Sequence, residues 1–147
     1  MNFLEEEIAL LDREVATLAQ TPRYQRPMVM MSSLKGVGVL TAMVFLTEMG
    51  DPKRFANRKQ VGSWMGLTPR SHESGEATDR KGRISRLGPA RVRKVLNQAA
   101  WALVRTSERA GKWFVDRTEL RGKGKKTMIV ALMRKMGIVL WHRALAG

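Results

Sequence analysis

The stretch Leu34-Lys35-Gly36-Val37-Gly38-Val39-Leu40-Thr41-Ala42 decides how the rest of this chain is read. Two glycines flank one apolar residue, and apolar helical sequence lies on either side. That is the form of a helix-hairpin-helix, spanning residues 28–49. Gly36 and Gly38 permit a turn that β-carbons would obstruct, and they let main-chain N–H groups approach a phosphate. The helix that follows directs its positive N-terminus at the same point. Val37 is expected to plug the core between the helices, and Ala42 to be small where they cross. Lys35 would add a direct phosphate contact. Such an arrangement reads charge and shape rather than base identity. The plainer alternative is a helix–helix turn that needs two glycines for its own geometry.

Outward from the hairpin the sequence reads as helix. Before it, the two prolines at 22 and 27 predict a break, followed by a short helix ending near Leu34. After it, helices are expected over 39–49 with Gly50 as C-cap, from Asn57 as N-cap to Met65, and from Pro89 as first helical residue to Thr106. The helix from Pro89 carries the apolar stripe Val92, Val95, Leu96, Ala99, Leu103 and Val104. A weaker helix covers 107–120. A Gly/Lys turn at 121–126 leads to a last helix with Met128, Ile129, Leu132, Met133, Met136, Val139 and Leu140. Sustained period-two alternation is missing, so the expected fold class is all-α. Between Leu67 and Gly88 the periodicity disappears in favour of Gly, Ser, Thr and Arg, and at most a short hairpin is expected there.

Residues 1–20 form a distinct unit. Leu4, Ile8, Leu11, Val15 and Leu18 recur at spacings of four and three, a seam of coiled-coil type. So short a seam is marginal alone, because helix nucleation is costly. It suits pairing with a partner helix, a second copy of this chain included, continuation of a longer helix, or packing as an ordinary amphipathic helix on its own domain. The domain reading is a connector helix at 1–20 and a helical domain at 21–147.

The charge follows the same division. The 147 residues carry a net +14, yet residues 1–20 hold five acids against one base. The remaining 127 residues hold 26 bases against eight acids, a net of +18. A field of that size attracts polyanions, so nucleic acid is the leading partner; taken with the hairpin, double-stranded DNA is expected. An anionic membrane would call for a basic amphipathic helix or a lipidation signal, and neither is evident. No apolar run approaches a membrane span. The chain has no cysteine, which excludes disulfides, zinc ribbons and thiol catalysis. A cytoplasmic, nucleoid-associated protein is expected.

Residues 80–94 carry seven bases and no acid: Arg80, Lys81, Arg83, Arg86, Arg91, Arg93 and Lys94. With neighbouring glycines this suits wrapping of phosphates, each neutralised phosphate contributing counterion release. A solvated basic loop fits the composition equally well.

The hairpin is also the first of a longer set of motifs. Beginning at Ser33 it reads S-L-K-G-V-G, and there follow T-E-M-G-D-P-K-R-F, G-L-T-P-R, E-S-G, G-R-I-S-R-L-G and R-V-R-K-V-L-N-Q-A-A-W, in that order. This series, over roughly residues 32–141, resembles the C-terminal transposase domain of the IS110/IS116/IS902 family of insertion-sequence elements. The resemblance implies a recombinase that moves DNA with two domains. An N-terminal RuvC-like domain supplies four acidic residues that hold a divalent metal such as magnesium, and a structured guide RNA can direct target choice. The C-terminal domain supplies a serine for strand cleavage or exchange. On this sequence the serine falls in Glu73-Ser74-Gly75, which makes Ser74 the implied nucleophile. Arg70, Arg83 and Arg86 match basic positions of the family's loop and would bind DNA or stabilise a phosphorane-like transition state. Two departures stand out. His72 occupies a place where the family often has an aromatic residue, and the acidic domain is not within this sequence, where residues 1–20 resemble only the end of a connector helix.

Without the resemblance, Ser74 reads as a turn residue, since a serine hydroxyl is a poor nucleophile until a base or metal activates it. Glu73, Glu76 and Asp79 read as three solvated acids rather than a metal set, and His142 as a helix C-terminal cap. The chain alone is therefore expected to bind no metal cofactor. The competing functional reading is a non-catalytic DNA- or RNA-binding module that keeps the hairpin and the charge. A helical adaptor dimerising through residues 3–19 would leave the +18 of the remaining residues unused.

Overall fold

A computed structural model describes residues 2–67 and 89–147, and every regular element in them is helical. Helix α1 (Phe3–Ala19) starts with a reciprocal cap. Asn2 Oδ1 accepts from the Glu5 N–H at 2.8 Å, and Glu5 Oε2 accepts from the Asn2 N–H at 3.0 Å. Only its C-terminal end joins the core, through Ala19 and the half-buried Val15, while Leu4, Ile8, Leu11 and Leu18 remain exposed.

Helix α2 (Pro22–Ser32) begins earlier than the two prolines suggest. Pro22 stands in the first turn, where its missing N–H would have had no helical acceptor. Pro27 lies inside the helix and forfeits one backbone bond, and the burial of Met28 and Met31 holds the helix together beyond it. Helix α3 (Val39–Met49) ends at Gly50, whose φ of 70° lies in the region that favours glycine. A 3₁₀ turn (Pro52–Arg54) leads to α4 (Arg58–Met65), capped by Asn57 Oδ1 accepting from the Gln60 N–H at 3.0 Å.

Helix α5 (Ala90–Thr106) takes Pro89 as its N-cap, one position outside the place expected for it. Ser107 caps α6 (Glu108–Val115), which runs into a π turn (Asp116–Leu120). Helix α7 (Lys125–Ala146) closes the fold. Helices α5 and α7 pack together at the centre; α2 and α4 lie on α7, and α3 and α6 lie on α5. The core is rich in methionine, with Met31, Met49 and Met65 fully buried beside Phe45, Leu96, Ile129 and Leu140. Trp141 ties α7 to the 3₁₀ turn, its indole N–H donating to the Pro52 carbonyl at 2.8 Å.

Candidate nucleic-acid interface

The turn between α2 and α3 presents two unlike sides. On the inside, Val37 is 6% exposed and Ala42 is fully buried, so both side chains pack inward. Gly36 adopts φ 88°, and a β-carbon on it would lie 2.7 Å from the Ala99 carbonyl oxygen and 3.2 Å from the Leu103 nitrogen of α5. Its lack of a side chain is thus required by helix packing. On the outside, Lys35, Gly38, Val39 and Leu40 are exposed, Leu40 at 55%. Gly38 is the N-cap of α3, and a β-carbon there would meet nothing within 4 Å. Among the described residues no side chain caps this helix start. The first N–H groups of α3 lack helical acceptors by geometry, and with the helix dipole they form an electropositive point on the surface. Within the turn, the Val37 N–H donates to the Leu34 carbonyl at 3.1 Å and the Ala42 N–H to the Gly38 carbonyl at 3.1 Å.

The basic residues at the start of α5 lie elsewhere. Arg91 is exposed, with Nη1 3.6 Å from Glu48 Oε1 near the end of α3. Lys94 is exposed, whereas Arg93 is half-buried and donates through Nη1 to the Met65 carbonyl at 3.3 Å, closing the end of α4. The hairpin and Arg91 therefore sit at opposite ends of α3, about 15 Å apart along its axis at ~1.5 Å per residue. A second arginine also serves a helix end. Arg143 Nη1 donates to the Met30 carbonyl at 3.3 Å and to Ser33 Oγ, closing α2 where the hairpin begins. Such contacts need partners remote in sequence, and no local signal announces them.

The sequence profile of the transposase IS116/IS110/IS902 family matches residues 29–115, more than half of the chain. The chain belongs to this family. Its relatives include a "Pilin gene-inverting protein" of Moraxella bovis, 31% identical over 132 residues that cover 89% of this chain and 41% of that protein. A "Probable family 20 transposase" of Pseudomonas aeruginosa is 30% identical over 146 residues, covering 96% of this chain and 41% of the relative. The "Transposase for insertion sequence element IS1111A" of Coxiella burnetii is 33% identical over 113 residues, covering 74% and 30%. The chain spans about two-fifths or less of the length of these relatives. No solved structure matches it.

The family's serine, Ser74, lies outside the described residues, as do Arg70, Arg80, Lys81, Arg83 and Arg86. Among the described residues no three His, Asp or Glu side chains gather to hold a metal ion, and no helix is long and apolar enough to cross a membrane.

Proposed function

We propose that this chain is the DNA-binding C-terminal part of an IS110-type transposase, acting in DNA transposition and recombination. The observation that carries the reading is the uncapped, exposed start of α3 at Gly38, in a chain of net +14 that belongs to a transposase family. Phosphates of a duplex bind the free N–H groups there, with Lys35 beside them. Arg91 and Lys94 form a second contact zone at the start of α5, and Arg70, Arg80, Lys81, Arg83 and Arg86 add charge between the two in sequence. The names of the relatives, transposases and a gene-inverting protein, support a role in DNA rearrangement. The protein works in the cytoplasm on the nucleoid.

Ser74 is the nucleophile of this reading. Its Oγ bonds to the scissile phosphorus, its proton passes to a base, and the bond from phosphorus to the departing strand end breaks. Magnesium, in this reading, would be held by the acidic residues of the family's N-terminal domain. A guide RNA is a further partner of the whole transposase, and the exposed seam of α1 pairs with another helix, a second copy of the chain included.

The test joins this chain to a family-type acidic domain and follows strand cleavage or exchange on element-end DNA. Ser74→Ala is expected to abolish the reaction while leaving duplex affinity within about twofold, because one hydroxyl adds little to a contact made by many cations. Ser71→Ala and Ser85→Ala are expected to retain it. Full activity of Ser74→Ala would exclude this serine as nucleophile and favour the non-catalytic binding module.

A further inference from the structure

An aromatic cluster lies on the surface away from the hairpin. Between the Pro52–Arg54 turn and α4 runs an open groove of about 580 Å³, lined by Arg54, Phe55, Asn57, Lys59, Gln60 and Trp64 among others. That volume falls within the roughly 300–1,000 Å³ of small-ligand sites. Phe55 and Trp64 are half-buried and pack with ring centroids 5.4 Å apart. Trp64 is anchored from beneath by the fully buried Phe45, edge to face at 5.9 Å. The exposed Arg54 lays its guanidinium carbon 4.6 Å from the centre of Phe55 and 5.5 Å from that of Trp64.

The polar wall of the groove has one character. Gln60 Oε1 accepts from the Ala56 N–H at 2.7 Å, and Asn57 Oδ1 accepts from the Gln60 N–H. Both carboxamide oxygens are engaged, which leaves their N–H groups as donors. Among the described residues, Arg54 and Lys59 form no ion pair and no carboxylate lines the groove. Arg54 lies over the Phe55 ring and is exposed to solvent, so its planar guanidinium is open to a second planar partner, and donors and cations around it suit oxygen-rich ligands.

We propose that this groove is a stacking site for an unpaired nucleotide, whose base lies on Arg54 over the Phe55–Trp64 platform and whose phosphate meets Lys59. Planar bases stack on aromatic rings and guanidinium groups with little regard to sequence. A duplex hides its base faces within the stack, so the ligand is single-stranded DNA or RNA, and the two share this chemistry. The site uses none of the hairpin residues and depends on the preceding reading only for the class of ligand.

The test titrates the whole chain with dT10, U10 and an abasic ten-nucleotide DNA of equal charge, reading tryptophan fluorescence and anisotropy. Saturable quenching by dT10 or U10 is expected, with the abasic strand at least about fivefold weaker. The tighter of dT10 and U10 identifies the source of the nucleotide. Arg54→Lys keeps the charge but loses the plane, and it should weaken the preferred strand at least about fivefold while duplex affinity stays within about twofold. Trp64→Phe should remove most of the quenching and, by anisotropy, weaken the preferred strand less than Arg54→Lys does, because it keeps an aromatic face in the platform. No binding of either strand, equal binding of the abasic strand, or an unchanged Arg54→Lys would overturn the proposal. Loss of duplex binding in Gly38→Val with dT10 quenching intact separates the two sites. If Gly38→Val binds duplex normally while Arg54→Lys loses the strand, the hairpin reading fails and the groove stands.

Discussion

The inner and outer sides of the hairpin use the same residue type for different ends. Inside, Gly36 touches the backbone of α5 and holds a positive φ; outside, Gly38 has ordinary extended geometry and open space around it. Removing the glycine character of the first should therefore damage the fold, and of the second only the surface. A Gly-apolar-Gly motif thus holds one glycine for packing and one that packing leaves unexplained. It is the unexplained one that points to a ligand.

This contrast can be broken by substitution. Gly36→Val is expected to lower stability by roughly 3 kcal/mol or more, combining left-handed strain with a forced shift of α5. Thermal unfolding of that variant at the parent's midpoint would erase the inner half of the comparison. Gly38→Val should cost no more than about 1 kcal/mol as a poorer N-cap. A branched side chain at this exposed helix start would crowd an approaching phosphate, so duplex affinity should fall about tenfold, a difference of ~1.4 kcal/mol. Equal affinity in a fluorescence anisotropy titration would make the hairpin a turn and nothing more. The smallest effect belongs to Lys35→Ala: a loss of a few-fold at low salt, with the slope of log K against log salt reduced by about one. If Lys35→Ala proves more harmful than Gly38→Val, side-chain charge rather than backbone makes the contact.

Much of the fold is legible in the sequence because its signals are local. Gly50 and Asn57 mark helix ends through their own backbone and side-chain chemistry, and the stripe from Val92 to Val104 sets the inward face of α5. The start of α2 is not legible, since Pro27 reads as a breaker until the burial of Met28 and Met31 is known. The site shows the same limit. Lys35 and Gly38 stand exposed at the turn, but that Gly36 faces Ala99 is a fact of tertiary packing. Arg93 looks like any other base of its run, and only the fold turns it toward the end of α4. Arg54, Phe55 and Trp64 come together across a turn and a helix, and in the sequence the first two are visible only as part of a family motif.

In the proposed function this chain grips the phosphate backbone of DNA. A salt titration of duplex binding by the unaltered chain tests it most directly. With at least about six phosphates engaged, affinity should fall by roughly 10³ or more between about 50 and 200 mM salt, with little dependence on sequence. Binding that is indifferent to salt, or absent at low salt, would contradict the account.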